Sequence, residues 1–184
     1  MRTLLIGGSP AHGSHTTALL QAVSDALIAQ GQEVELWDLA ENRLAFSQPS
    51  WHANPLKADS EAVCEFYGSV LKADAVVLGT PLYHGSYSGV LKNALDCLTG
   101  DAFKNKPVGL VSHGSNMRKA HQPCLHLTTV VMTMQGVPTH IQIGTGKEDY
   151  AQSDVGYVVT DTSILERCNT LALELVAWVS KLAA

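Results

Sequence analysis

Three short stretches of this 184-residue chain bring glycine, hydroxyl side chains and rings together in patterns suited to holding a ligand. The first is Gly7-Gly8-Ser9-Pro10-Ala11-His12-Gly13-Ser14-His15-Thr16-Thr17, which leads into an apolar-periodic segment. A helix N-terminus offers unpaired N–H donors and a positive dipole end, and Ser and Thr add neutral donors. A terminal phosphate can therefore bind there without a basic cluster. Ser14 or Thr16 would also serve simply as the helix cap, and the loop by itself leaves both readings open. Neither G-x-x-x-x-G-K-[ST] nor G-x-G-x-x-G occurs in the chain, which argues against nucleotide hydrolysis and a dinucleotide turn.

The second stretch, Pro81-Leu82-Tyr83-His84-Gly85-Ser86-Tyr87-Ser88-Gly89, follows a wholly apolar run. Its small residues let backbone approach a flat ligand, and Tyr83 can cover a face or an edge of one. Packing or a subunit contact is the alternative for Tyr83 and Tyr87, and His84 reads as a wall, a solvent tip or an acid. The third, Ser112-His113-Gly114-Ser115-Asn116, again pairs donors with a glycine. It suits hydrogen bonds to the polar edge of a ring, and it caps a following helix at the same time.

The elements that must position these loops are legible from periodicity. Apolar runs at Leu4–Ile6, Ala75–Leu78 and Pro107–Ser112 read as buried parallel strands, and the alternating Glu33–Trp37 reads as a strand nearer an edge. Val137–Ile143 supplies a fifth. Helical spacing predicts helices over 16–30, 60–72, 88–98, 117–135 and 162–182, the last with Ile164, Leu165, Leu171, Leu175, Trp178 and Val179 on one stripe. Residues 40–55 read as a surface loop, and 144–160 as a Gly- and Asp-containing connection. Strict β-α alternation over this length implies one doubly wound α/β domain spanning residues 1–184, with helices on both faces of a parallel sheet. In such sheets the crevice opens at the carboxyl ends of the strands, which is where all three loops lie.

Composition narrows the class. Hydrophobic residues make up 46% and charged residues 16%, enough apolar side chain to cover a sheet on both faces. Twelve Lys and Arg against seventeen Asp and Glu leave a net charge of −5, with no basic run. Nucleic acid and anionic membrane surfaces are therefore not expected partners. The short N-terminal apolar run does not resemble a signal peptide, so a cytoplasmic location is expected. Cys64, Cys97, Cys124 and Cys168 are widely spaced and read as reduced thiols; Cys124 lies near His121 and His126 but in an apolar segment that favours packing over nucleophilic work. His121 and His126, five apart, face different sides of a helix, and no metal site is expected.

The first loop, together with the run Thr80-Pro81-Leu82-Tyr83-His84-Gly85-Ser86-Tyr87-Ser88-Gly89-Val90-Leu91-Lys92-Asn93-Ala94-Leu95-Asp96, resembles the NAD(P)H-dependent FMN reductase family, and within it the branch serving alkanesulfonate-type monooxygenases. The resemblance implies a flavodoxin-like five-stranded sheet of order 2-1-3-4-5. It places FMN phosphate on Ser9, Ser14, Thr16 and Thr17, with His12 assisting. Pro81, Leu82, Tyr83, His84 and Gly85 would line the isoalloxazine, and Ser112, His113, Gly114 and Ser115 would border its pyrimidine side. Where many relatives carry an Arg in the first loop, this chain has Pro10, Ala11 and His12.

The implied activity is hydride transfer from NADPH or NADH to non-covalently bound FMN. Electrons then pass to free flavin, to a flavin-dependent monooxygenase, or to a quinone, azo or metal acceptor. A homodimer or homotetramer is implied as well. The flavin ring carries such chemistry, so no catalytic triad is expected. The competing reading is a flavodoxin-like FMN electron carrier reduced by a protein partner.

Overall fold

The computed structural model describes residues 1–115 and 119–182. Five parallel strands form the sheet: β1 (Arg2–Gly7), β2 (Glu33–Asp38), β3 (Ala75–Pro81), β4 (Pro107–His113) and β5 (Val137–Thr145), in the order β2-β1-β3-β4-β5. The inner strands β1, β3 and β4 are almost wholly buried, whereas β2, at the sheet edge, is only partly covered, with Glu33 and Leu36 exposed and Asp38 buried. Helices α1 (His15–Ala29) and α5 (Thr162–Leu182) cover one face; α2 (Glu61–Lys72), α3 (Gly89–Asp96) and α4 (Gln122–Thr133) cover the other.

Successive strand residues feed opposite cores. Leu4, Ile6, Val76, Leu78, Val108 and Leu110 pack with Phe66, Leu91 and Leu127, while Leu5, Val77, Val111 and Ile143 pack with Leu20, Leu27, Leu171 and Leu175. Each such fully buried side chain contributes about 1.5–3 kcal/mol of transfer free energy. Two cores of this kind hold the carboxyl ends of β1, β3 and β4 in one rigid rim.

Three expectations need correction. The fourth helix was expected over 117–135, but α4 spans Gln122–Thr133. Pro123 sits in its first turn, where a missing N–H costs nothing and the fixed φ favours initiation, and Gln135 already takes φ +63° beyond its end. Met117, Arg118 and the loop residue Asn116 lie outside the described residues. The α5 stripe includes Cys168 and Ala172, whereas Leu165 is 37% exposed and lies off it.

The third correction concerns residues 144–160. They hold an antiparallel hairpin, β6 (Tyr150–Ser153) with β7 (Gly156–Val159), which packs on α1. Four-residue strands around Asp154-Val155 are too short to register as a period.

Candidate active site

The first loop folds as its residues dictate. Ser14 is the N-cap of α1: its backbone is extended and its Oγ accepts from the Thr17 N–H at 3.1 Å. The Thr17 hydroxyl donates to Asp38 Oδ2 at 3.1 Å, and Ser14 Oγ stands 3.0 Å from Thr17 Oγ1, so the Ser14 proton is directed to Thr17. Asp38, buried at the end of β2, also accepts from the Ala40 N–H. This relay keeps Thr17 polarised toward Asp38 and leaves Ser14 free to swing its proton to an incoming oxygen while still capping the helix. His15 and Thr16 occupy the first turn, where N–H groups precede the intrahelical ladder. Ser9 and Thr16 have buried side chains, and Ser9 Oγ is taken up by the Ala11 N–H at 3.2 Å. What these two offer a ligand is therefore mainly backbone. His12 is exposed, its Nδ1 3.9 Å from Glu41.

The second loop is a tight reversal. Tyr83 and Ser86 exchange both backbone hydrogen bonds at 2.9 and 3.0 Å, and the two residues between them, His84 and Gly85, have φ of +50° and +82°. Positive φ at both central positions is the condition for a type I′ turn, in which Gly costs nothing and His is tolerated. His84 is thus the solvent tip, Tyr83 is 45% exposed, and Pro81 is buried at the strand end. Ser86 Oγ meets His126 Nδ1 at 2.9 Å.

In the third loop Ser112 is wholly buried. Its hydroxyl donates to the Ala120 carbonyl and lies 3.2 Å from Cys124 Sγ. It faces inward, leaving the rim to His113, Gly114 and Ser115. Cys124 is core, its thiol pushed up to about 11 by burial, so its neighbouring histidines do not make it a nucleophile.

Three links tie the loops into one constellation. The Ser88 hydroxyl donates to the Gly8 carbonyl, the Leu82 N–H donates to the His113 carbonyl at 2.7 Å, and the His15 ring stacks on His113 with centroids 4.1 Å apart. His15 is stacked on its other side by Tyr157 of the hairpin at 3.6 Å, and Tyr150 meets both imidazoles edge-on. Burial is the main cause that lowers the pKa of His113 to about 4, helped by His15 and Lys147; burial and then Lys147 lower that of His15. Both rings are therefore neutral near pH 7. Lys147 supplies the fixed positive charge felt at this end of the rim. Sequence reasoning missed it because nothing in the run Gly146-Lys147-Glu148 marks the lysine as adjacent to two loops more than thirty residues away.

A cavity of about 620 Å³ adjoins the rim on the β2 side, with Pro10 and Tyr83 in its wall. Another, of about 630 Å³, opens between the carboxyl ends of α3 and α4 and contains none of the rim residues. Among the described residues no cluster of three metal-ligating side chains occurs, and no helix is long and apolar enough to cross a membrane.

Comparison with known proteins agrees with this architecture. The flavoenzyme FerB, an NAD(P)H:(acceptor) oxidoreductase from Paracoccus denitrificans, superposes with a TM-score of 0.76 at 21% identity, covering 98% of this chain and 97% of that one. An oxidoreductase from Corynebacterium diphtheriae gives 0.73 at 20% identity and 98% coverage of both. Both establish the fold. In sequence, the chain is 36% identical over 184 residues to the FMN-dependent NADPH-azoreductase of Staphylococcus aureus, covering 98% of this chain and 96% of the relative. Residues 1–147 match the profile of the NADPH-dependent FMN reductases. With that match spanning β1 to β5 and all three rim loops, the chain belongs to the NADPH-dependent FMN reductase family.

Proposed function

We propose that residues 1–184 form one FMN-binding domain that takes hydride from NADPH and passes electrons to an azo-type aromatic acceptor rather than to a monooxygenase. The observation that carries this reading is the locking of three loops at one rim by the Ser88–Gly8, Leu82–His113 and His15–His113 links. The donor set fits a phosphorylated flavin. The N-terminus of α1 offers the His15 and Thr16 N–H groups beside the reorientable Ser14 hydroxyl, and the Tyr83–Ser86 turn presents bare backbone at Gly85. The choice of nicotinamide and acceptor follows the 36% identical relative, an FMN-dependent NADPH-azoreductase.

FMN, when bound, supplies the ring that accepts hydride. The chain's own contribution is placement. Ser14, Thr17 and the first turn of α1 would hold the phosphate, with His12 at the exposed side. Pro81 to Gly85 would lie along the ring, and His113, Gly114 and Ser115 would sit at its polar edge. Neutral His15 and His113 leave Lys147 as the positive charge felt at that edge. Four unpaired cysteines accord with a reducing cytoplasm, and exposed Leu125 and Met132 on α4 offer a face for a second copy.

Anaerobic titration of the FMN-loaded protein decides the matter: NADPH alone should bleach the visible flavin band stoichiometrically. A protein that binds FMN but is bleached only through a reduced protein donor would instead be an electron carrier, and one that binds no FMN would end the proposal.

A further inference from the structure

We infer that the cavity on the β2 side of the rim is a binding site for planar aromatic anions, with Arg43 selecting the negative charge. The inference rests on the flavin reading above, because Pro10 and Tyr83 of the rim loops form the cavity's inner wall. Its volume of about 620 Å³ falls within the range of small-molecule sites.

The walls are apolar and partly uncovered. Leu39 is the floor at 1% exposure, while Phe46 and Tyr83 stand 82% and 45% exposed at the mouth. Two rings left this open in the lining of one cavity present faces on which a flat ligand can stack, and covering them returns the cost of their hydration. Arg43 is the single charged residue lining the cavity, and among the described residues it pairs with no carboxylate. Its planar fork matches the two oxygens of a carboxylate or two of the three of a sulfonate.

A second feature points the same way. Helix α3 begins at Gly89, and Gly89 and Val90 both line the cavity, so the cavity abuts the positive end of the helix, where the first N–H groups precede the intrahelical ladder. A Cβ built on Gly89 meets nothing within 4 Å, so this backbone is open to a ligand.

The loop carrying Arg43 and Phe46 is pinned rather than loose. Asn93 Nδ2 donates to the Ala45 carbonyl at 3.0 Å, and its Oδ1 accepts from the Ser47 N–H at 3.0 Å. Ser47 Oγ donates to the Asp96 carbonyl at 2.6 Å, and Trp37 Nε1 donates to the Asn42 carbonyl at 3.3 Å. Arg43 thus lies in a loop anchored on both sides, at Asn42 and at Ala45 and Ser47.

Calorimetric titration of the FMN-loaded protein with naphthalenesulfonate and with uncharged naphthalenemethanol tests this without turnover. The sulfonate should bind at least ~10-fold more tightly, as one charge-assisted fork contributes. Arg43→Gln should bring the two within about twofold while leaving FMN affinity unchanged, and Arg43→Lys should restore part of the preference. Phe46→Ala should weaken both ligands alike. Equal affinities in the parent protein, a preference that survives Arg43→Gln, or mutual exclusion of FMN and the sulfonate would each overturn the inference. If FMN itself fails to bind, the same titrations on the flavin-free protein still read the Arg43 effect, so the two readings fail separately.

Discussion

At the level of single residues, Ser14 does two jobs that a substitution can separate. Asp is as good an N-cap as Ser, so Ser14→Asp should leave the melting temperature essentially unchanged. The added carboxylate would sit where the phosphate is assigned and should raise the FMN dissociation constant at least ~10-fold, with a smaller effect on riboflavin, which lacks the phosphate. Unchanged FMN affinity would move the phosphate elsewhere. His113 gives a pH signature. Burial holds it near 4 in the folded protein, against 6.5 for the free side chain, so the unfolded chain takes up the proton first as pH falls. Stability is therefore full above about 6.5 and is lost as pH drops toward 4. After allowance for its half-buried state, the loss is on the order of 2 kcal/mol. Urea midpoints followed from pH 7.5 to 4 should show a shallower decline in His113→Gln than in the parent.

At the level of elements, alternation of apolar runs and helical spacing was enough to read five strands and five helices. The reason is that inner parallel strands must be apolar throughout and covering helices apolar on a stripe. The direction of individual side chains was not readable. Ser112 and Thr16 look from sequence like ligand donors but face the interior, because each lies on the inward side of its element. The β6–β7 hairpin was also invisible, and it bears on the site through the Tyr150 and Tyr157 rings packed on His15 and His113 as well as through close backbone contact. Gly156 has φ +132°, and a Cβ there would lie 2.4 Å from the Gly13 carbonyl oxygen. Gly156→Ala should therefore cost about 1–3 kcal/mol in strain and contact, relieved by local detachment. Hydrogen exchange should show protection lost across 150–159 and kept in β1, β3 and β4. Uniform loss throughout would mean the hairpin is integral to the main sheet's stability.

At the level of the whole molecule, the rim belongs to no single element. β1, β3 and β4 each present a loop there, and the two cores on opposite faces of the sheet share those strands. A ligand that ties the loops together therefore stabilises both cores at once. FMN at a hundredfold excess over its dissociation constant adds about 2.7 kcal/mol to unfolding. For a chain of this size that corresponds to a rise in melting temperature on the order of 5–10 °C, in one transition. Calorimetric scans with FMN, riboflavin and inorganic phosphate separate the contributions. FMN should shift the whole endotherm most, and phosphate least because it engages only the first turn of α1. A scan in which FMN moved one part of a split endotherm would show that the loops are served by independently melting units, and the proposed single FMN-binding domain would have to be divided.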